Sequence, residues 1–105
     1  MSKCKITVLK RLLLEDLIKE YSSEGTPEEP LGQCTTFRDG QEFIIENDPV
    51  MPEGFCFWAW SDIQRDVAMI MYGADIHWIS KKGTMINCCS DGLRPVVFKV
   101  ERIED

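Results

Sequence analysis

The stretch Thr84-Met85-Ile86-Asn87-Cys88-Cys89-Ser90-Asp91-Gly92-Leu93-Arg94-Pro95-Val96-Val97-Phe98-Lys99-Val100-Glu101-Arg102-Ile103 decides the fold class. Thr84 to Cys89 reads as a strand, Asp91-Gly92 as a turn, and Val96 to Ile103 as a longer returning strand. An Asp-Gly pair between two apolar runs is a strong hairpin signal. Pro95 fits the first position of the returning strand, because a proline within a ladder would remove a donor. The last third of the chain is therefore antiparallel β-structure.

Working back from the hairpin, Phe55-Cys56-Phe57-Trp58-Ala59-Trp60 opens a helical segment. Ser61 and Gln64 have the spacing of a capping box. A start just after Gly54 instead places Cys56, Trp60, Ile63, Val67, Ile70 and Met71 on one stripe, with Gly73 as the residue that ends the helix. The longer helix is the preferred reading. Before it, Arg38-Asp39-Gly40 reads as a turn into a short strand, Gln41 to Glu46, with Phe43 and Ile45 inward. Residues 22–33, rich in Ser, Glu, Gly and Pro, read as an exposed loop. They follow a helical spacing of Leu13, Leu14, Leu17, Ile18 and Tyr21. At the start, Cys4, Ile6 and Val8 alternate with Lys3, Lys5 and Thr7, the pattern of a half-buried strand. The order β-α-β-α-β-β implies an α+β fold, with a mostly antiparallel sheet packed by two helices. The 105 residues suit one domain, 1–105.

Eighteen acidic and 12 basic residues give a net charge of −6. That balance argues against a nucleic-acid binder, which needs a basic footprint, and against docking on an anionic membrane. No signal-peptide pattern opens the chain, and no apolar run approaches the roughly 20 residues that span a bilayer. A soluble cytoplasmic protein with reduced thiols is expected. The acidic groups gather at Glu24, Glu28 and Glu29 and at Glu101, Glu104 and Asp105. The run 101–105 reads as the solvated end of the last strand.

Five cysteines are the unusual feature. Cys34, Cys56, Cys88 and Cys89 lie in or beside three separate turn-rich segments, where metal or redox sites tend to be built. With His77, the single histidine, they form the candidate ligand set for zinc or iron. No C-x-x-C pair is present, and adjacent residues of a strand face opposite ways, so at most one of Cys88 and Cys89 joins Cys34 and Cys56. Cys4, on the first strand, reads as structural. Cys56, in the first turn of the long helix, has the best individual case, because free N–H groups there stabilise a thiolate. The opposing reading makes it the start of the buried stripe.

The aromatics Phe55, Phe57, Trp58, Trp60 and Trp78 fit a core or subunit interface better than a ligand pocket. Trp58 lies off the stripe and should meet a second subunit or a ligand. Trp58, Trp60 and Arg94 are the candidate cofactor contacts, Arg94 as a two-pronged clamp for a carboxylate or phosphate. The plainer reading pairs Arg94 with a surface acid.

The segments Lys3 to Leu9, Gly40-Gln41-Glu42-Phe43, Pro52-Glu53-Gly54-Phe55-Cys56-x-x-Ala59-Trp60-x-x-Ile63 and Cys89-x-Asp91-Gly92-Leu93-Arg94-Pro95-Val96-Val97-Phe98-Lys99 carry a resemblance over nearly the whole length. In them the chain is similar to a family of small bacterial and archaeal proteins, mainly from anaerobes. The resemblance implies no activity. It does imply weight on Cys34, Cys56 and the Cys88-Cys89 pair, although Thr35 stands where the family usually has proline. Three functional expectations follow: metal binding or thiol redox chemistry through the cysteines; a homo-oligomerisation or protein-docking module with an aromatic surface around Trp58 and Trp78; and a small enzyme using Cys56 with His77 as base.

Overall fold

Apolar alternation builds the sheet. The structure, a computed structural model, describes residues 3–103. Strand β1 (Lys3–Arg11) buries Cys4, Ile6 and Val8 on one face. Helix α1 (Glu15–Tyr21) follows, then β2 (Glu42–Ile45), α2 (Phe57–Met71), β3 (Thr84–Cys88) and β4 (Val96–Ile103). The four strands form one antiparallel sheet in the order β2-β1-β4-β3. The α+β fold and its element order are those the sequence implies. Glu104 and Asp105 lie outside the described residues.

Helix α2 lies on the core face of the sheet, against β1, β3 and β4. Its buried stripe is Ala59, Ile63, Val67, Ile70 and Met71. Trp60, expected on that stripe, is half-buried at its margin. The helix ends in a Schellman arrangement: Ala74 N–H donates to Met69 O at 3.0 Å and Gly73 N–H to Ile70 O at 3.2 Å. Gly73 has φ +104°, a conformation that glycine adopts without the clash a Cβ would bring.

Helix α1 does not lie on the sheet, so one helix covers it rather than two. Of the expected apolar stripe only Ile18 is buried, while Leu17 and Tyr21 face solvent. The helix instead lines a cleft with Leu13, Pro27, Pro30 and Leu31 of its own flanking segments. This arm lengthens the molecule to 50 × 29 × 20 Å. The radius of gyration is 15.3 Å, against about 13 Å for a compact domain of this length. Of the loop 22–33, residues 23–30, Gly32 and Gln33 are exposed, while Ser22 and Leu31 are half-buried.

At the centre of the core are four phenylalanines. Phe37 meets Phe43, Phe55 and Phe98 edge-on at centroid separations of 6.0, 5.0 and 5.2 Å. Phe55 also contacts Phe43 at 4.9 Å and Phe98 at 5.6 Å. Phe37 and Phe55 come from loops, so this cluster ties loop backbone to the sheet.

The opposite face of the sheet carries charge, and here the reading of 101–105 as a solvated end is corrected at Glu101. Glu101 is only 7% exposed. Lys99 lies 3.1 Å from its carboxylate, Lys5 3.6 Å and Lys81 3.9 Å. The cross-strand register places Lys5 directly opposite Glu101, so the pairing is built into the sheet. Burial opposes ionisation of this carboxyl. The hydrogen bond and charge of Lys99, with the charges of Lys81 and Lys5, outweigh that effect and hold it below the usual glutamate range. A carboxyl more acidic in the folded state contributes stability that is full above its unfolded value. That contribution is lost as pH falls through the lowered folded value. The thermal midpoint should therefore drop as pH falls below about 4.3, the unfolded glutamate value. In Glu101→Gln the drop should be shallower; equal slopes for the two proteins would remove Glu101 as the source.

Candidate functional site

Three loop segments meet at the N-terminal end of α2, and each brings a thiol. Cys34, Cys56 and Cys89 line one cleft of about 470 Å³, together with Thr36, Trp58, Ser90, Asp91 and Arg94. All three sulfurs belong to half-buried residues, and all five cysteines are free.

Cys34 is carried in by Arg11. The guanidinium of Arg11 donates to the Cys34 carbonyl at 3.0 Å and to Asp39 Oδ1 at 3.1 Å, and Gln33 Nε2 donates to the Arg11 carbonyl at 2.6 Å. Phe37, three residues on, anchors the segment in the core. Cys56 is the N-cap of α2 and makes no side-chain capping hydrogen bond. The first turn of α2 holds no acidic residue, so its unpartnered N–H groups set a positive helix end against the cleft. Cys89 sits just beyond β3, paired with the start of β4. Its N–H donates to Val96 O at 3.1 Å, and its sulfur accepts from Val96 N–H at 3.3 Å.

Strand alternation separates the Cys88-Cys89 pair. Cys88 is opposite Val97 on the charged face and is exposed, so Cys89 is the one that joins the cleft. His77 does not join either. It is exposed beside Trp78, with ring centroids 5.0 Å apart, beyond the C-terminal end of α2. The 15 residues of α2 put about 22 Å between that end and Cys56. The Cys56–His77 pair that the enzyme expectation required is thus not formed, nor is the fourth metal ligand. Among the described residues, no three His, Cys, Asp or Glu side chains are gathered to hold a metal ion.

The same length divides the expected aromatic surface in two. Phe57 and Trp58 are exposed at the start of α2, Tyr72 and Trp78 at and beyond its end. Trp58 is 64% exposed and donates from Nε1 to Ser90 Oγ at 3.2 Å, across the cleft mouth. Trp60 packs edge-on against Phe55 at 6.0 Å, a core contact rather than a ligand contact.

Asp91-Gly92 lies within a hairpin, but not as a two-residue turn. Seven residues, 89–95, connect β3 to β4, and Gly92 does not take the left-handed conformation such a turn needs. Asp91 organises the loop: its Oδ1 accepts from Leu93 N–H at 2.9 Å and Arg94 N–H at 3.1 Å, and its Oδ2 from Arg94 Nε at 3.3 Å. Burial works against the Asp91 carboxylate, but those N–H donors and the Arg94 charge hold its carboxyl below the usual range. Asp62, which the sequence did not single out, accepts from Ser90 N–H at 2.7 Å and fixes the other side of the loop. Its position one turn after Trp58 was the available signal.

Cys4 is apart from all of this, fully buried in β1. Burial pushes its thiol up to about 12. Native alkylation followed by intact-mass measurement should label four cysteines and spare Cys4 until denaturant is added. Labelling of Cys4 at the rate of Cys88 would contradict its burial.

No helix is long and apolar enough to cross a membrane among the described residues. No family model, curated protein or solved structure matches this chain.

Proposed function

We propose that the protein works by thiol–disulfide exchange through Cys56, with Cys34 or Cys89 as the second thiol. The observation that carries this reading is the convergence of three free cysteines from distant parts of the chain on one cleft. Exchange needs two sulfurs to meet in turn, whereas a zinc or iron site needs three or four donors gathered at once. The arrangement of donors therefore favours exchange over metal binding. Free thiols at an open cleft suit a reducing compartment, and the cytoplasm is the proposed location.

The steps balance without a further reagent. The Cys56 thiolate attacks one sulfur of a substrate disulfide, forming a mixed disulfide and releasing the first substrate thiol. Cys34 or Cys89 then attacks the Cys56 sulfur, closes an internal disulfide and releases the second thiol. Two protein thiols are oxidised and one substrate disulfide is reduced.

Exposed Phe57 and Trp58 beside the cleft support a second reading, docking of a protein partner or a second copy there. Peptide mapping after treatment of the reduced full chain with a disulfide separates the two. Exchange gives an internal bond from Cys56 to Cys34 or Cys89, with Cys4 and Cys88 left out. Absence of any bond among Cys34, Cys56 and Cys89 would remove the exchange reading.

A further inference from the structure

The cleft has a receptor for negative charge that thiol exchange by itself does not require. Arg94 lines it, and Asp91 holds the guanidinium by Nε alone, at 3.3 Å. Among the described residues nothing accepts from its two Nη groups, which form the outer prongs of the fork. The loop on which it stands is fixed on both sides: Asp91 caps two backbone N–H groups and Asp62 a third. Ser90 adds a second donor, because its Oγ accepts from Trp58 Nε1 and keeps its own proton free. Asp91, which lines the cleft, and Asp62, which accepts from Ser90 N–H, are both engaged by these loop contacts. Donors, a positive helix end and sulfur therefore share one cleft in a protein whose net charge is −6.

Resting on the exchange reading, we infer that the substrate is a small disulfide bearing a carboxylate, held on the Nη groups of Arg94 and the Ser90 hydroxyl with its sulfur at Cys56. A guanidinium fork matches a carboxylate in two-pronged fashion. The Cys56 thiolate attacks the nearer sulfur, the substrate S–S bond breaks, and the departing thiolate takes a proton from water. The substrate disulfide is the oxidant. Cys56 leaves as the mixed disulfide, which the second cleft thiol resolves.

Three disulfides of similar size test this: dithiodipropionate, carrying two carboxylates; bis(2-hydroxyethyl) disulfide, neutral; and cystamine, carrying two ammonium groups. The reduced full chain is treated with each and quenched in acid. Mixed and internal disulfides at Cys56 are then summed by mass spectrometry. Net charge alone ranks the cation fastest and the dianion slowest. The inference predicts the reverse, with the dianion about tenfold faster than the neutral reagent, roughly the gain from one good charge-assisted contact. Arg94→Gln should return the order to that of net charge, and Arg94→Lys should keep part of the preference. Thermal melting of both variants checks that they fold, and the reagent ratio within each variant is independent of its overall reactivity. Equal rates in the native chain, or a preference unchanged in Arg94→Gln, would overturn the substrate class and leave exchange standing. No reaction at Cys34, Cys56 or Cys89 with any reagent would overturn exchange itself.

Discussion

Phe98→Ala is expected to cost about 3–5 kcal/mol of folding stability, the range for truncating a fully buried phenylalanine. Phe98 has no exposed surface and stands on β4, between β1 and β3. Its ring touches Phe37 at 5.2 Å and Phe55 at 5.6 Å. Those rings also touch Phe43, so neither can swing in to fill the space. A domain of this size has only about 5–15 kcal/mol to lose. The midpoint in urea should therefore fall sharply, and the thermal midpoint by more than ~12 °C. Phe98→Leu, which keeps most of the volume, should cost less than half as much. The change should also reach the cleft: Phe37 and Phe55 hold the segments that carry Cys34 and Cys56. Both thiols should alkylate faster in Phe98→Ala under native conditions, while Cys88 stays unchanged. A loss below about 1 kcal/mol, a value typical of ordinary sites, would mean that this cluster is not the centre of the core.

What the sequence made legible follows from the range over which each signal acts. Alternation in residues 3–9 and the stripe Ile63, Val67, Ile70, Met71 are local patterns that predicted β1 and α2 with their buried faces, while the apolar run 96–103 after Asp91-Gly92 and Pro95 predicted β4 without its face. The same local reading made α1 amphipathic, but amphipathicity does not say which surface the helix meets. Leu17 and Tyr21 had no sheet beside them, and their stripe is largely exposed. The cysteine site was legible in part. Strand parity allowed at most one of Cys88 and Cys89 to join Cys34 and Cys56, but which one depends on register with β4, a tertiary property. His77 looked like a partner because it is the single histidine, although the helix read between Gly54 and Gly73 already sets it a helix length away from Cys56. Glu101 looked like solvated tail because its partners Lys5 and Lys81 lie on other parts of the chain.

Arg102 shows the same limit, and Arg102→Met should cost about 2–4 kcal/mol, since several charge-assisted hydrogen bonds are lost together. The last turn of α2 contains no basic residue, so nothing in the helix itself answers its negative end. Arg102, from β4, supplies that charge. One Nη donates to Ile70 O at 2.7 Å and to Ala74 O at 3.1 Å, and the other to Asp75 Oδ1 at 3.2 Å. Asp75 Oδ1 also accepts from Gly83 N–H at 2.8 Å, and Arg102 N–H donates to Gly83 O at 2.8 Å. One guanidinium thus joins the helix end, the connection to β3 and the last strand. Methionine keeps the apolar stem but leaves those carbonyls and the Asp75 charge without it. Lysine restores the charge and not the fork, so Arg102→Lys should recover no more than about half of the loss. Gly83 provides the independent check. It has φ +67°, and a Cβ there would lie 2.9 Å from Arg102 Nη2. Gly83→Ala should therefore destabilise by both backbone strain and displacement of the guanidinium. In the Arg102→Met background only the strain remains, so the two changes together should cost less than their sum. Additive losses, or an Arg102→Met within about 0.5 kcal/mol of the parent as for an ordinary surface arginine, would show that the end of α2 is held by something else.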